Sequence, residues 1–128
     1  MRVSSSTVLL VEPHPDSASM FAEVLRWAGF RVEAVSPADA TRSYPPRRVS
    51  PDVVVIGMRS CEGPAVRVLS NGRPVPAIAI TSDPRDTDQA ATLGYASVLL
   101  RPVDPSLLIS EVRRVVRCAH RRSSPGAA

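Results

Sequence analysis

Four short runs of β-branched and aliphatic residues, Val8–Val11, Val53–Ile56, Ala77–Ile80 and Ser97–Leu100, recur along the chain with longer stretches between them. Consecutive apolar positions without polar alternation mark strands buried on both faces. A fifth, weaker run at Arg31–Val35 alternates as an edge strand does. Helical patterns fill the intervals. Met20, Phe21, Val24, Leu25 and Ala28 give the first helix an apolar face, with Asp16 as its cap and Gly29 as its stop. Asp83-Pro84-Arg85-Asp86 supplies a cap, a proline for the first helical position and an acid for the first turn of a helix ending at Gly94. The last helix begins after Asp104-Pro105 and sets Leu108, Val112, Val115, Val116 and Ala119 on one face. Between the second and third strands, Pro45, Pro46 and Pro51 leave room for only a short, irregular helix. This alternation predicts an α/β fold, a central five-stranded parallel sheet with helices on both faces. Residues 1–122 read as one domain, and residues 123–128 as a frayed end or the start of a linker.

A chain of 128 residues can bury a core without disulfides or metals. No apolar run approaches the ~18 residues that a membrane span needs. The N-terminus carries a single Arg2 and turns polar through Ser4–Thr7, unlike a secretory signal. Cys61 and Cys118 make neither a disulfide framework nor a zinc site. The expectation is a soluble, reduced, cytoplasmic protein. Neither G-x-G-x-x-G nor G-x-x-x-x-G-K-[ST] occurs, so nucleotide binding has no sequence support. Every basic residue is Arg, and the whole net charge of +4 lies in Glu111–Arg122, which holds five Arg and one Glu.

The strand ends carry a resemblance. Val8-Leu9-Leu10-Val11-Glu12-Pro13-His14-Pro15-Asp16, Pro51-Asp52-Val53-Val54-Val55-Ile56-Gly57-Met58, Val75-Pro76-Ala77-Ile78-Ala79-Ile80-Thr81-Ser82 and Leu99-Leu100-Arg101-Pro102-Val103 follow one another in a recognisable order. From Ser6 to His120 the chain resembles the receiver domains of bacterial two-component response regulators. The resemblance implies a flavodoxin-like (βα)5 fold with its chemistry at the carboxyl ends of the strands. In that family an acidic pair after the first strand and an aspartate ending the third hold Mg²⁺, and the aspartate takes a phosphoryl group from a histidine kinase. Mg²⁺ demands hard oxygen ligands and offsets the charge of the phosphoryl oxygens.

Position by position, this chain departs from that chemistry. Glu12 keeps the first acid, but Pro13 takes the second position and offers neither carboxylate nor N–H. Gly57 stands at the phosphoacceptor position and has no side chain. Thr81 keeps the hydroxyl ending the fourth strand. Arg101 stands where the family has a lysine; it is cationic and followed by Pro102, as in the family, but bulkier and planar. Val98 matches an aromatic that reports phosphorylation by rotating, and it has nothing to rotate. Glu12, Pro13, Gly57, Thr81 and Arg101 thus form a vestigial phosphorylation pocket, with no catalytic residue and no metal or cofactor expected. An internal Glu12–Arg101 ion pair is favoured over a cation site.

Other candidates read as structural. Asp52 is a turn residue after Pro51 and not a substitute nucleophile. Ser60 and Ser82 are loop hydroxyls, His14 faces solvent, and Trp27 and Phe30 pack the first helix on the sheet. The surplus feature is the last helix, where Arg113, Arg117 and Arg121 follow i, i+4 spacing with Arg114 beside them. A solvated face of this kind favours the helix macrodipole. In the resembled family, the face built from the fourth helix, fifth strand and fifth helix is the usual partner and dimer surface, and Val98 with these arginines falls on or beside it. Direct nucleic-acid binding is disfavoured, since no aromatic residues interleave the arginines and the rest of the chain is neutral. The expected function is a non-enzymatic, phosphorylation-independent signalling module acting on a protein partner or a second copy. The alternatives are a small-ligand sensor using Arg101, Thr81 and the amides around Gly57, and the receiver part of a DNA-associated regulator.

Overall fold

A computed structural model describes residues 6–35, 51–57, 69–70, 73–89, 92 and 94–123. The chain runs through β1 (Thr7–Val11), α1 (Pro15–Trp27), β2 (Arg31–Val35) and β3 (Val53–Gly57). It continues through two short strands, β4 (Leu69–Ser70) and β5 (Arg73–Pro74), then β6 (Ala77–Thr81) and the 3₁₀ helix η1 (Pro84–Gln89). It ends with β7 (Ser97–Leu100) and α2 (Pro105–Ser123). The five expected strands are all present, extended by one residue at Thr7, Gly57 and Thr81. They pair in parallel in the order β2-β1-β3-β6-β7. Strand order reverses between β1 and β3, so Glu12 after β1 and Gly57 at the end of β3 flank the point where such sheets open a crevice.

β1, β3 and β6 are buried along their whole length, which is why their sequences lack alternation. β7 departs from the expectation of burial on both faces: it lies at the sheet edge, with Ser97 and Val98 half-buried and Leu100 exposed. The pleat still divides their side chains. Val8, Leu10, Val53, Val55, Ile78 and Ile80 meet Phe21, Ala22 and Leu25 of α1 and Leu108, Val112, Val115 and Val116 of α2. On the opposite face Leu9, Val11, Val54, Ile56 and Ala79 cluster with Tyr95, a buried aromatic just past Gly94. The helices expected between β2 and β3, and after β3, lie outside the described residues.

Several local expectations need correction. Asp16 does not cap α1. Pro15, whose fixed φ suits the first helical position, starts the helix after His14, and Asp16 falls in the first turn. The stop is as expected: Gly29 has φ 101°, its N–H donates to the Arg26 carbonyl, and the Phe30 N–H donates to that of Leu25. That is a Schellman closure. The buried face of α1 is Phe21, Ala22 and Leu25, whereas Met20 is 49% exposed. Trp27 does not pack on the sheet; it is 85% exposed, because two residues past Leu25 lies far round the helix. Phe30 does pack against the core. The expected Asp83–Gly94 helix opens as the 3₁₀ helix Pro84–Gln89, with the Arg85 N–H donating to Asp83 Oδ1 at 3.0 Å. Thr92 beyond it is helical, and residues 90, 91 and 93 lie outside the described residues. α2 starts as expected, the Ser106 N–H donating to Asp104 Oδ1 at 2.8 Å. The antiparallel pair β4–β5 is additional to the five expected strands, and Asn71-Gly72 between its strands is a strong hairpin signal in the sequence. Among the described residues, no helix is long and apolar enough to cross a membrane.

Candidate functional site

Three residues from distant parts of the sequence meet at the strand-order reversal. Arg101, just past β7, donates from Nη2 to Glu12 Oε1 at 2.6 Å. The second carboxylate oxygen, Oε2, accepts the His14 N–H at 3.0 Å. The Glu12 side chain is 1% exposed, so both of its oxygens are turned inward and both have a donor. The Arg101 guanidinium also lies over the Phe21 ring, 5.9 Å from its centroid, within the range of a cation–π contact.

Gly57 is what makes room for this pair. A Cβ on Gly57 would fall 2.1 Å from Glu12 Oε1, 2.6 Å from Glu12 Cδ and 2.9 Å from Arg101 Nη2. The volume beside the end of β3 is therefore filled by the ion pair, and the absence of a side chain at 57 and the presence of the pair are one packing solution.

Thr81 ends β6 in the same layer, and its hydroxyl is engaged elsewhere. Thr81 Oγ1 donates to Asp86 Oδ2 and accepts the Asp83 N–H at 3.1 Å. Asp86 is 4% exposed. In sequence Asp86 looks like no more than an acid in a helical first turn; a carboxylate five residues past a strand-ending hydroxyl is the signal for its role. The Thr81 carbonyl accepts the Arg101 N–H at 2.8 Å, which ties the loop carrying Arg101 to β6. Pro13 is exposed beside Glu12 and contributes no polar group.

The donor set does not fit Mg²⁺. Both Glu12 oxygens are taken, Pro13 and Gly57 bring no ligand, and Arg101 already supplies positive charge to the carboxylate. Among the described residues, no three His, Cys, Asp or Glu side chains group closely enough to hold a metal ion.

Away from this end, Asp52 is a structural clamp: its Oδ2 accepts the Thr7 N–H at 2.8 Å, and its own N–H donates to the Thr7 carbonyl at 2.8 Å. That contact lies at the opposite end of the sheet from Glu12. His14 and Ser82 are exposed, and Ser60 lies outside the described residues. Val98 is half-buried on β7, against the Leu9–Tyr95 cluster.

Arg113 and Arg114 of α2 reach to different sides of the helix. Arg113 reaches toward α1, its Nη2 donating to the Ala28 carbonyl at 3.4 Å. Arg114 turns the other way and chelates Glu111 through Nε at 3.1 Å and Nη2 at 3.0 Å. Glu111 in turn accepts the Ser97 hydroxyl of β7 at 2.8 Å. The Arg114 guanidinium holds the Glu111 carboxyl below the usual carboxylate range, against the upward push of partial burial, and the Ser97 hydroxyl adds to the lowering. Arg117 is exposed, and the Arg121 side chain lies outside the described part of the structure.

No family model matches the chain. It is 31% identical over 115 residues to an uncharacterized 14.6 kDa protein in the sodA1 3′ region of Leptolyngbya boryana, a match covering 84% of this chain and 87% of that one. The chain belongs to the same family as that protein. Among solved structures it is similar to a CheY-like response regulator receiver domain from Methylobacillus flagellatus, with a TM-score of 0.70 and 23% identity over 88% of this chain and 99% of the other. It is also similar to the receiver domain of a signal transduction histidine kinase from Syntrophus aciditrophicus, with a TM-score of 0.66 and 26% identity over 88% and 91% of the two chains. A third likeness, of TM-score 0.66 and 26% identity over 88% and 98%, is to the receiver domain of sensor histidine kinase PA1611 from Pseudomonas aeruginosa PAO1, which holds a magnesium ion in its active site cleft. The fold is that of a receiver domain.

Proposed function

We propose that this chain is a receiver-fold signalling module that works without phosphoryl transfer, through protein–protein contact, and is not an enzyme. The receiver fold supports a signalling role in two-component systems. The observation that carries the finer reading is the filled space beside Gly57, where a side chain would collide with the Glu12–Arg101 pair. A phosphoryl acceptor needs an exposed nucleophile and charge compensation for the incoming oxygens. At this position there is no nucleophile, and the local carboxylate and cation satisfy each other. The small-ligand alternative draws less support for the same reason, since Arg101 and Thr81 already have internal partners.

Incubation with acetyl phosphate and Mg²⁺, followed by intact mass spectrometry, tests the reading directly. The expected result is no base-labile phosphoryl adduct. An adduct mapping to Asp16 or Asp52 overturns it.

A further inference from the structure

The outer surface of the α1–α2 pair has no role in the pocket, yet it carries the most exposed large apolar side chain among the described residues. Asp16, Met20, Glu23 and Trp27 follow one another at i, i+4, i+7 and i+11, and all four are exposed. This spacing lines them down one side of α1. α2 presents Ser106, Ser110, Arg113 and Arg117 at the same spacing, also all exposed. The two helices cover the same face of the sheet and Arg113 bonds the end of α1, so both stripes lie on the outer surface of one helix pair, with Glu23 and Trp27 also lining a hollow beside Ala34 of β2. One is acidic and apolar; the other is basic.

We propose that this face binds a second copy of the chain. Both helices follow parallel strands and pack on one sheet face, so they run in the same direction. A two-fold axis along them sets α1 of each copy against α2 of the other. An isologous interface requires every contact to occur twice, and a surface that pairs an acidic helix with a basic one meets that condition without placing like charges opposite each other. Each copy contributes two acids, Asp16 and Glu23, and two arginines, Arg113 and Arg117. Trp27 then meets arginine side chains, a pairing favoured at interfaces through cation–π contact. Two helices of this length offer a patch smaller than the ~800 Å² per partner of a standard stable complex. The dimer is accordingly weak and forms at concentrations on the order of 100 µM. This face differs from the surface around Val98 and β7 that the family resemblance suggested.

Sedimentation velocity over a concentration series, read beside tryptophan fluorescence, tests the proposal on the full chain. Trp27 is the sole tryptophan in the sequence, so its emission reports this face alone. The expected result is a monomer–dimer equilibrium with a blue shift of Trp27 emission as the dimer forms. Trp27→Ala should abolish the dimer, while Glu23→Arg and Arg117→Glu should each weaken it about tenfold. The double variant should recover most of that loss. These side chains are exposed, so circular dichroism should show unchanged folding. A monomer at every concentration overturns the proposal, as does a dimer that survives Trp27→Ala. The acetyl phosphate experiment is blind to this face, so the two readings stand or fall separately.

Discussion

A buried carboxylate persists only where its charge is met, and Glu12 has two donors for two oxygens. Removing one exposes the dependence. Arg101→Ala should leave Glu12 enclosed with the His14 N–H alone and destabilise the fold by about 3 kcal/mol, the lower end for a broken buried pair, because Arg101 itself is 24% exposed. Urea denaturation checks the value. Gly57→Ala should cost about 1–3 kcal/mol through overpacking, since its Cβ would fall 2.1 Å from Glu12 Oε1. The same substitution in a Glu12→Ala background should cost far less, because the obstructing carboxylate is gone; equal costs in both backgrounds would contradict the packing account. The pair was legible in sequence, since the resemblance placed Glu12 and Arg101 at the same end of the sheet with no second acid to compete. The collision at Gly57 was not legible, because a glycine records the lack of a side chain without saying what occupies its volume. Asp86 is hidden in the sequence for a related reason. An acid in a helical first turn is ordinary, and only the three-dimensional return of the loop brings it to Thr81.

At the level of elements, the five strands of the parallel sheet are legible to within a residue, and in β1, β3 and β6 two-sided burial is what leaves uninterrupted apolar runs. The orientation of α1 was less so. Its apolar residues span a wider arc than the core can cover, and the sheet takes Phe21, Ala22 and Leu25 while Met20 and Trp27 remain in water. α2 shows how a charged helix is anchored on its edge side, through Ser97, Glu111 and Arg114. Because Glu111 has a lowered carboxyl pKa in the folded chain, the folded state binds fewer protons there than the unfolded state. Its contribution is complete above the unfolded value of about 4.3 and is lost as pH falls through the lower folded value. The Arg114 side chain is half exposed, so water screens the pair and the effect is about 0.5 kcal/mol. The melting temperature should therefore be flat from neutral pH to about pH 5 with respect to this pair, then decline. In Glu111→Gln that part of the acid decline should be missing, as thermal melts at stepped pH would show.

For the molecule as a whole, the question is what a net charge of +4 concentrated in one helix can attract. Nucleic acid is the obvious candidate for an all-arginine segment, and geometry weighs against it. A duplex presents phosphates along a continuous track, and a protein follows it by presenting cations along one surface. Here Arg113 leans toward α1 and bonds the Ala28 carbonyl, while Arg114 is neutralised by Glu111 on the other side of α2. The neighbouring helix α1 exposes Asp16 and Glu23, which repel phosphate as they would favour an arginine of another copy. With Arg113 and Arg114 engaged, three arginines of the segment remain, and the log–log salt slope of duplex binding should be no steeper than about −3, at −0.9 per neutralised phosphate. Fluorescence anisotropy with a labelled random duplex should accordingly show no retention at physiological salt. Glu23→Arg, which removes an acid from the surface and adds a cation, should raise affinity for the duplex while weakening the dimer. Tight, steeply salt-dependent binding by the natural sequence would mean that the helix presents a cationic track after all, and would favour the DNA-associated reading over protein–protein contact.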